Sequence, residues 1–423
     1  MLLFLILIAL LLSSTPIAIA LALTGMTALV LYTDVPVNLI ANQLYHSLDS
    51  FQLLAVPFFI LAGRLMAEGQ SSRSLIDLCA ALTRPLRGGL THAGVLSCAV
   101  FANISGSSSA DLLAIGSVLI PGYREKGYDR RWTTGLLTSA GSLGILIPPS
   151  IPMIIYAHYA DLSIARLFMA GFGPGILVVV LFLIYCTIKA RQLGYPSDRW
   201  QVRELWTSFY AAFPVVLLPA FVLYGILGGI FTATEAAAVA ALYSLFVELV
   251  VYRSLRLPKV VEAFWESSKM TVSILVIIAG AQLVTLYLVF ARIPELVGDW
   301  MLASIHSPWI FLIVVNVFLL VLGCFLDIIS AMLMLMPIFA LFVIRLGIDP
   351  IHFAIIFILN MEIGLMTPPV GINLFVSTML TGDSLTEVSK AVVPTVGLML
   401  LVLVIVTFVP AVSLFLPQLL FGP

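Results

Sequence analysis

Apolar runs long enough to cross a bilayer, which takes roughly 20 residues, lie near residues 14–33, 51–67, 130–157, 165–188, 207–228, 234–252, 270–291, 350–379 and 391–417. Two further apolar regions, 88–121 and 307–344, each carry a polar, glycine-bearing kink: NISGSSSAD at 103–111 and GCFLD at 323–327. Their arms are only about 12–17 residues long, short of a comfortable crossing. Both regions read as re-entrant hairpins that enter and leave by the same face. Two of the long runs are interrupted as well. GILIPPSIP (144–152) and GLMTPPVGI (364–372) set a glycine and paired prolines inside apolar sequence. Proline removes a backbone donor and clashes with the preceding turn, and an unsatisfied backbone group in hydrocarbon costs about 3 kcal/mol or more. Two amphipathic stretches, 70–85 and 255–268, carry charges on one face beside basic residues. They read as interfacial helices, with ordinary loop helices as the plainer alternative.

The interruptions recur in register. Gly144, Pro148 and Pro149 match Gly364, Pro368 and Pro369 at an offset of 220, as do Gly127 and Asp129 with Gly347 and Asp349. Upstream, Asp111 and Pro121 match Asp327 and Pro337 at an offset of 216. The pattern predicts two repeats, each built as crossing, crossing, hairpin, broken crossing, crossing. The first covers 1–190, with its hairpin at 88–121 and broken helix at 130–157. The second covers 231–423, with its hairpin at 307–344 and broken helix at 350–379. Residues 191–230 connect them through a linking helix.

Composition changes the picture only by sharpening it. With 61% hydrophobic and 10% charged residues among 423, the fold class is an all-α polytopic membrane protein. The N-terminal run lacks a basic flank and exceeds a signal peptide's core, so it reads as a retained membrane helix. Cys79, Cys98, Cys186 and Cys324 fit neither a metal site nor a disulfide framework and read as small core residues. No P-loop lysine motif, H-E-x-x-H pattern or basic patch with interleaved aromatics is present. An ATP-driven pump, a zinc protease and a nucleic-acid binder are disfavoured.

Charge sets the topology. With the N-terminus cytoplasmic, segments 64–87, 122–131, 189–203, 253–269 and 382–390 hold 4, 4, 4, 4 and 1 Lys and Arg, or 17 of the 20. Only Arg166, Arg292 and Arg345 fall on the other side, as the positive-inside rule requires. The first hairpin then opens from the cytoplasm and the second from outside, the signature of inverted-topology repeats.

Irregular backbone at membrane depth is tolerated where it is buried in protein or lines a wet cavity. A break frees carbonyls, which suit Na⁺, and N–H groups at a positive helix end, which suit a carboxylate. The hydroxyls at Ser105 and Ser107–Ser109, beside Asn103 and Gly106, suit either role, although small residues also serve close helix packing. Candidate substrate contacts are Ser107, Ser109, Asp111, Asp327 and Asn373. Asp111 and Asp327 are intramembrane acids that alternatively cap the returning hairpin helices. Glu362, one turn from the second break, reads as tuning that site. Glu235 reads as compensating a helix dipole, and Arg64 as snorkelling to the interface.

SGSSSADLLAIGSVLIP, GILIPPSIPMIIYA, GGIFTATEAAAVAALY, FLDIISAMLMLMPIF and GLMTPPVGINLF, in this order, resemble the large membrane subunit (DctM or SiaM type) of tripartite ATP-independent periplasmic (TRAP) transporters. The resemblance covers nearly the whole chain. It implies an elevator-type architecture of the ion-transporter superfamily, with the hairpins and broken helices as transport domain and the remaining helices as scaffold. It implies Na⁺-coupled import of a carboxylate-bearing solute across the bacterial inner membrane, with two or more Na⁺ carried. C4-dicarboxylates, sialic acid, sugar acids and 2-oxo acids are all compatible. Implied partners are a small four-helix membrane subunit (DctQ type), expected as a separate chain, a periplasmic substrate-binding protein (DctP type) and membrane lipid. The N-terminus would be cytoplasmic and the C-terminus periplasmic. Implied Na⁺ ligands are Ser105, Ser108, Gly144, Ile147 and Pro149 in the first half and Gly323, Gly364, Thr367 and Pro369 in the second. A stand-alone divalent-anion symporter of the same plan is the alternative. An ion channel needs a continuous pore, and an enzyme needs a nucleophile–base pair or metal cluster that this sequence does not display.

Overall fold

The computed structural model describes residues 6, 9–10, 13, 15–33, 35–293, 296 and 307–422, and all of its regular structure in those residues is helical. Helix α1 (Ile17–Tyr32) is followed by α2 (Val37–Leu48), which meets α3 (Ala55–Glu68) through a bend of 53°. The amphipathic α4 (Ser71–Thr83) leads into the first hairpin, α5 (Gly89–Ser105) and α6 (Ser108–Glu125). The first interrupted helix comprises α7 (Arg130–Ala140), the single turn α8 (Leu143–Leu146) and α9 (Ile151–Tyr159). Next come α10 (Ile164–Gln192), α11 (Val202–Leu227), α12 (Ala233–Phe246) with a π-turn at Val247–Val251, and α13 (Leu257–Phe290). The second hairpin is α14 (Pro308–Gly323) and α15 (Ile328–Arg345), and the second interrupted helix is α16 (Pro350–Gly364) and α17 (Ile372–Thr381). Two last helices follow, α18 (Leu385–Phe408) and α19 (Ala411–Phe421). Seven helical stretches among the described residues are long and apolar enough to cross a membrane, or eight with the bent pair counted as one.

The expected elements differ from the observed ones in four places, each for a local reason. Residues 255–268 do not form a separate interfacial helix: α13 runs unbroken for 34 residues. Pro258 sits in its first turn, where a missing N–H costs nothing, and no proline follows before Phe290. The run at 391–417 divides at Val409–Pro410 into α18 and α19, because the residue before a proline is pushed out of the helical region. Helix α2 lacks a continuous apolar run, yet Ile40 and Leu44, one turn apart, pack on Leu29 and Leu283. The returning hairpin arms α6 and α15 are each 18 residues, longer than expected, because the helix continues through Pro121 and Pro337.

Close backbone approach through small residues joins the outer helices, as it does in membrane proteins generally. A β-carbon on Gly25 of α1 would lie 2.6 Å from Leu283 of α13, and one on Gly280 of α13 would lie 2.8 Å from the Ala18 carbonyl of α1. Helix α3 lies along α12, where Ala236, Ala237 and Ala240 are buried. The interrupted helices occupy the interior. Every residue from 132 to 157 and from 351 to 366 is buried. Lipid never reaches the first broken backbone, which meets the requirement that irregular main chain at this depth be enclosed.

Helix α4 joins the outer helices to the first hairpin and is fixed at its start by one acid. Glu248, fully buried in the π-turn, accepts from the backbone N–H groups of Gln70 (2.9 Å) and Ser71 (3.1 Å) and from the Ser71 and Ser254 hydroxyls. A carboxylate at a helix N-terminus satisfies orphan donors and opposes the positive dipole end. Replacing Glu248 with alanine should leave those donors buried and unpaired, costing about 2–4 kcal/mol. Thermal unfolding of the detergent-purified protein should show a lowered midpoint for Glu248→Ala and a smaller drop for Glu248→Gln, whose amide oxygen still accepts.

Candidate functional site

Each interrupted helix is seated on the tip of its neighbouring hairpin. In the first half, Gly106 turns the chain at φ +59°, and its carbonyl accepts from the Ile151 N–H at 3.2 Å. In the second, the Cys324 carbonyl accepts from the Val370 N–H at 3.1 Å. The contacts are tight enough to demand glycine. A β-carbon on Gly144 would lie 2.6 Å from the Ser107 carbonyl oxygen and 2.7 Å from Asp111 Oδ2; one on Gly364 would lie 2.5 Å from the Gly323 backbone. Residues paired by the sequence offset share local roles. Gly127 and Gly347 take φ +67° and +66°, Asp129 and Asp349 cap α7 and α16, and Pro148–Pro149 and Pro368–Pro369 are both cis.

All four interruptions border one cleft of about 160 Å³. Its lining comes from the first tip (Gly106–Ser109), the first break (Ile145, Ile151, Pro152), the second tip (Asp327–Ile329), the second break (Leu365, Ile372, Asn373) and the wall of α13 (Met270, Ile274). The N-termini of α6, α9, α15 and α17 therefore gather here. Those of α6, α9 and α17 carry no side-chain cap; the Ile151 N–H is taken by the Gly106 carbonyl and the Asn373 N–H by the Leu365 carbonyl, and what remains of their positive ends suits an anion. Among the described residues, no lysine, arginine or histidine lines the cleft. A neighbouring cavity of about 290 Å³ shares Ser107 and Met270 with it and is walled by α3 and α13. Arg64 and Lys269 border that cavity, paired with Glu68 (2.5 Å) and Glu266 (2.7 Å) respectively.

The residues singled out from sequence divide by place. Ser107 and Ser109 line the cleft with hydroxyls 3.5 Å apart, and Asn373 lines it from the second half. Asp111 is fully buried beneath the tip; it receives the Ser105 hydroxyl through Oδ1, while Oδ2 has no partner. Asp327 borders the cleft, but its carboxylate is engaged in capping α15 through the N–H groups of Ile329 (3.0 Å) and Ser330 (3.1 Å) and the Ser330 hydroxyl. Repeat-related acids thus take different roles: Asp327 caps and Asp111 does not. Ser105, Ser108, Gly144, Ile147 and Pro149 lie together at the buried first junction. Gly323 and Gly364 touch at the second junction, where Thr367 donates its hydroxyl back to the Ile363 carbonyl (2.9 Å) and Pro369 is exposed. Glu235 forms a capping box with Thr232, and Asn103 bonds back to the Ala99 carbonyl (2.9 Å), outside the tip.

Sequence reasoning missed the links between halves. Ser108 donates to Glu362 Oε1 (2.6 Å), and Asn373 Nδ2 reaches both Ser108 Oγ (2.5 Å) and Glu362 Oε1 (3.2 Å). Thr138 donates to Ser377 (2.8 Å), and the Ser139 and Thr395 hydroxyls lie 2.6 Å apart. Arg124 and Arg130 both donate to the Thr381 carbonyl at the C-terminus of α17, where a cation opposes the negative dipole end. Polar side chains repeating along helices buried all round were the available signal, but a sequence does not say which partner each one meets.

Known proteins share this chain's sequence and fold. It is 41% identical to the C4-dicarboxylate TRAP transporter large permease protein DctM of Rhodobacter capsulatus, covering 98% of both chains. It is 43% identical to the protein of the same name from Pseudomonas aeruginosa, covering 94% of both. Among solved structures, the YdaH transporter of Alcanivorax borkumensis superposes with a TM-score of 0.61 over 91% of this chain and 89% of that one, at 14% identity, a likeness of fold alone. The tripartite ATP-independent periplasmic transporter family, DctM component, matches residues 4–412. The chain belongs to that family: it is a large permease component of a TRAP transporter, an integral membrane protein and not an enzyme.

Proposed function

We propose that this protein imports a C4-dicarboxylate in symport with Na⁺, by an elevator movement, across the inner membrane of a bacterium. The carrying observation is the cleft itself. Helix N-termini from both hairpins and both broken helices border it; hydroxyls, an amide and the Asp327 carboxylate, engaged in capping α15, line it; and among the described residues no fixed positive side chain does. Such a site favours anions through oriented peptide dipoles. The dicarboxylate as solute is supported by the names and the near full-length similarity of the two relatives.

Na⁺ coupling is supported by Asp111 and Glu362. Both are fully buried, and each has one oxygen without a partner. Their hydrogen bonds come from Ser105, Ser108 and Asn373, none of them cationic. Isolated charge in a low-dielectric interior is costly, and a bound cation near each acid offsets that cost. Ser105, Ser108 and the carbonyls of Gly144, Ile147 and Pro149 would serve the first ion, and Gly323, Gly364, Thr367 and Pro369 the second.

The elevator reading is supported by how bonds and cavities are distributed. The hairpins and interrupted helices are tied across halves by Ser108–Glu362–Asn373, Thr138–Ser377 and the arginine pair on Thr381. They would move as one body against a scaffold that includes α1, α3, α12 and α13. The 290 Å³ cavity lies where the first tip faces α3 and α13. Inverted repeats are supported by the shared roles of the offset-paired residues, and the charge distribution favours a cytoplasmic N-terminus and a periplasmic C-terminus. A small DctQ-type membrane subunit and a DctP-type periplasmic binding protein would complete the tripartite system.

Proteoliposomes holding this protein and its small subunit should take up succinate only with the binding protein and an inward Na⁺ gradient. Undiminished uptake without Na⁺ would count against the coupling, and uptake of free succinate without binding protein would favour a stand-alone symporter. Replacing Pro148–Pro149 or Pro368–Pro369 with alanines should abolish Na⁺-driven uptake, by letting helix close over the freed backbone groups. Membrane insertion, read from the yield of folded detergent-extracted protein, should be retained.

A further inference from the structure

Glu362 lies on α16, one turn before the second break, and its hydrogen bonds run both across that break to Asn373 and to Ser108 in the other half of the molecule. Oε1 accepts from Ser108 Oγ at 2.6 Å and from Asn373 Nδ2 at 3.2 Å, while Asn373 Nδ2 also lies 2.5 Å from Ser108 Oγ. Ser108 is 2% exposed, and Glu362 and Asn373 are 0% exposed. Glu362 Oε2 and Asn373 Oδ1 have no hydrogen-bond partner. The Asn373 amide oxygen is an acceptor at any pH, and Glu362 Oε2 is one when the acid is ionised; a buried acceptor without donor or cation carries its full desolvation cost. Two such oxygens therefore leave the same three-residue cluster unmatched. Ser108 Oγ, which donates once and accepts once here, keeps a further lone pair. Hydroxyl, carboxylate and amide oxygens are hard ligands, suited to alkali and alkaline-earth cations rather than to soft metals.

We infer that Glu362 and Asn373, from the second half of the chain, complete the cation site of the first hairpin, with Glu362 Oε2 and Asn373 Oδ1 as side-chain ligands beside Ser108. This rests on the Na⁺-coupled reading above. Glu362 then joins the break next to it, through Asn373, to the first hairpin of the opposite half, through Ser108. Asn373 also borders the anion cleft, so one amide touches both cargoes. An ion held by its oxygen fixes the orientation of the residue that faces the solute, which joins ion binding to solute binding through a single side chain.

The test uses the protein with its small membrane subunit in detergent, titrated with NaCl against choline chloride at constant ionic strength. Thermal unfolding reports Na⁺ binding, because a ligand that binds only the folded state raises the midpoint. In Glu362→Gln, the Na⁺ concentration giving a half-maximal shift should rise at least about tenfold, the loss typical when a metal site's supporting groups are removed. Glu362→Asp should fall between the two. In reconstituted vesicles the same variant should show a lower Hill coefficient for Na⁺ activation of uptake. A wild-type Na⁺ titration in Glu362→Gln would overturn the assignment, as would a variant that changes only the pH dependence of unfolding. If Glu362→Gln does not assemble, unchanged titrations in both Glu362→Asp and Asn373→Ala overturn it equally. Absence of any Na⁺ effect in the unaltered protein would instead remove Na⁺ coupling itself, a separate result.

Discussion

Backbone groups freed inside a membrane have nowhere to turn but to protein, ions or trapped water. The architecture follows from obeying that constraint four times over. Two helices stop at paired prolines and two hairpins turn at polar tips, and the resulting ends are brought together rather than scattered. Each break leans on a hairpin tip through a glycine that no larger residue could replace, and each tip carbonyl takes an N–H from beyond its break. The cleft is the place where the remaining ends meet. Its chemistry is the hydrogen-bonding capacity of those helix ends that neither a neighbouring carbonyl nor the Asp327 cap has taken up.

The outer helices show what such a core requires of its surroundings. They pack closely through glycine and alanine seams, with few polar groups to satisfy. Where one of them must hold a polar element, it uses a single buried carboxylate in a π-turn, a helix irregularity often found at functional positions. Glu248 thus holds the start of α4, the segment that any movement of the first hairpin would have to respect.

Much of this plan was legible in the sequence because glycine and proline act locally. The four interruptions lie where NISGSSSAD, GILIPPSIP, GCFLD and GLMTPPVGI place them, and Asp129 and Asp349, matched by the offset, both cap helices. Features that depend on partners were not legible. Helix α2 is held by Leu29 and Leu283 from two other helices; Ile40 and Leu44 recur at helical spacing, but the segment is too short and too polar to read as a crossing. Asp111 and Asp327 look equivalent by offset, but Ser330 stands three residues after Asp327, within reach of its carboxylate, whereas Asp111 lies within its helix and turns back to Ser105. Glu362 read as tuning the second break beside it; it does bond Asn373 just beyond that break, but it also meets Ser108, more than 250 residues away in the chain.

The helix ends around the cleft carry a final implication. A guanidinium fork recognises the spacing and planarity of a particular carboxylate, whereas a ring of peptide dipoles registers little beyond negative charge and size. On the function proposed above, a permease built this way would be a poor judge of chemical identity. It would accept any anion of suitable bulk that is presented to it. Discrimination among related metabolites would then fall to whatever delivers the solute, and a change of diet would call for altering the courier while leaving the gate as it is.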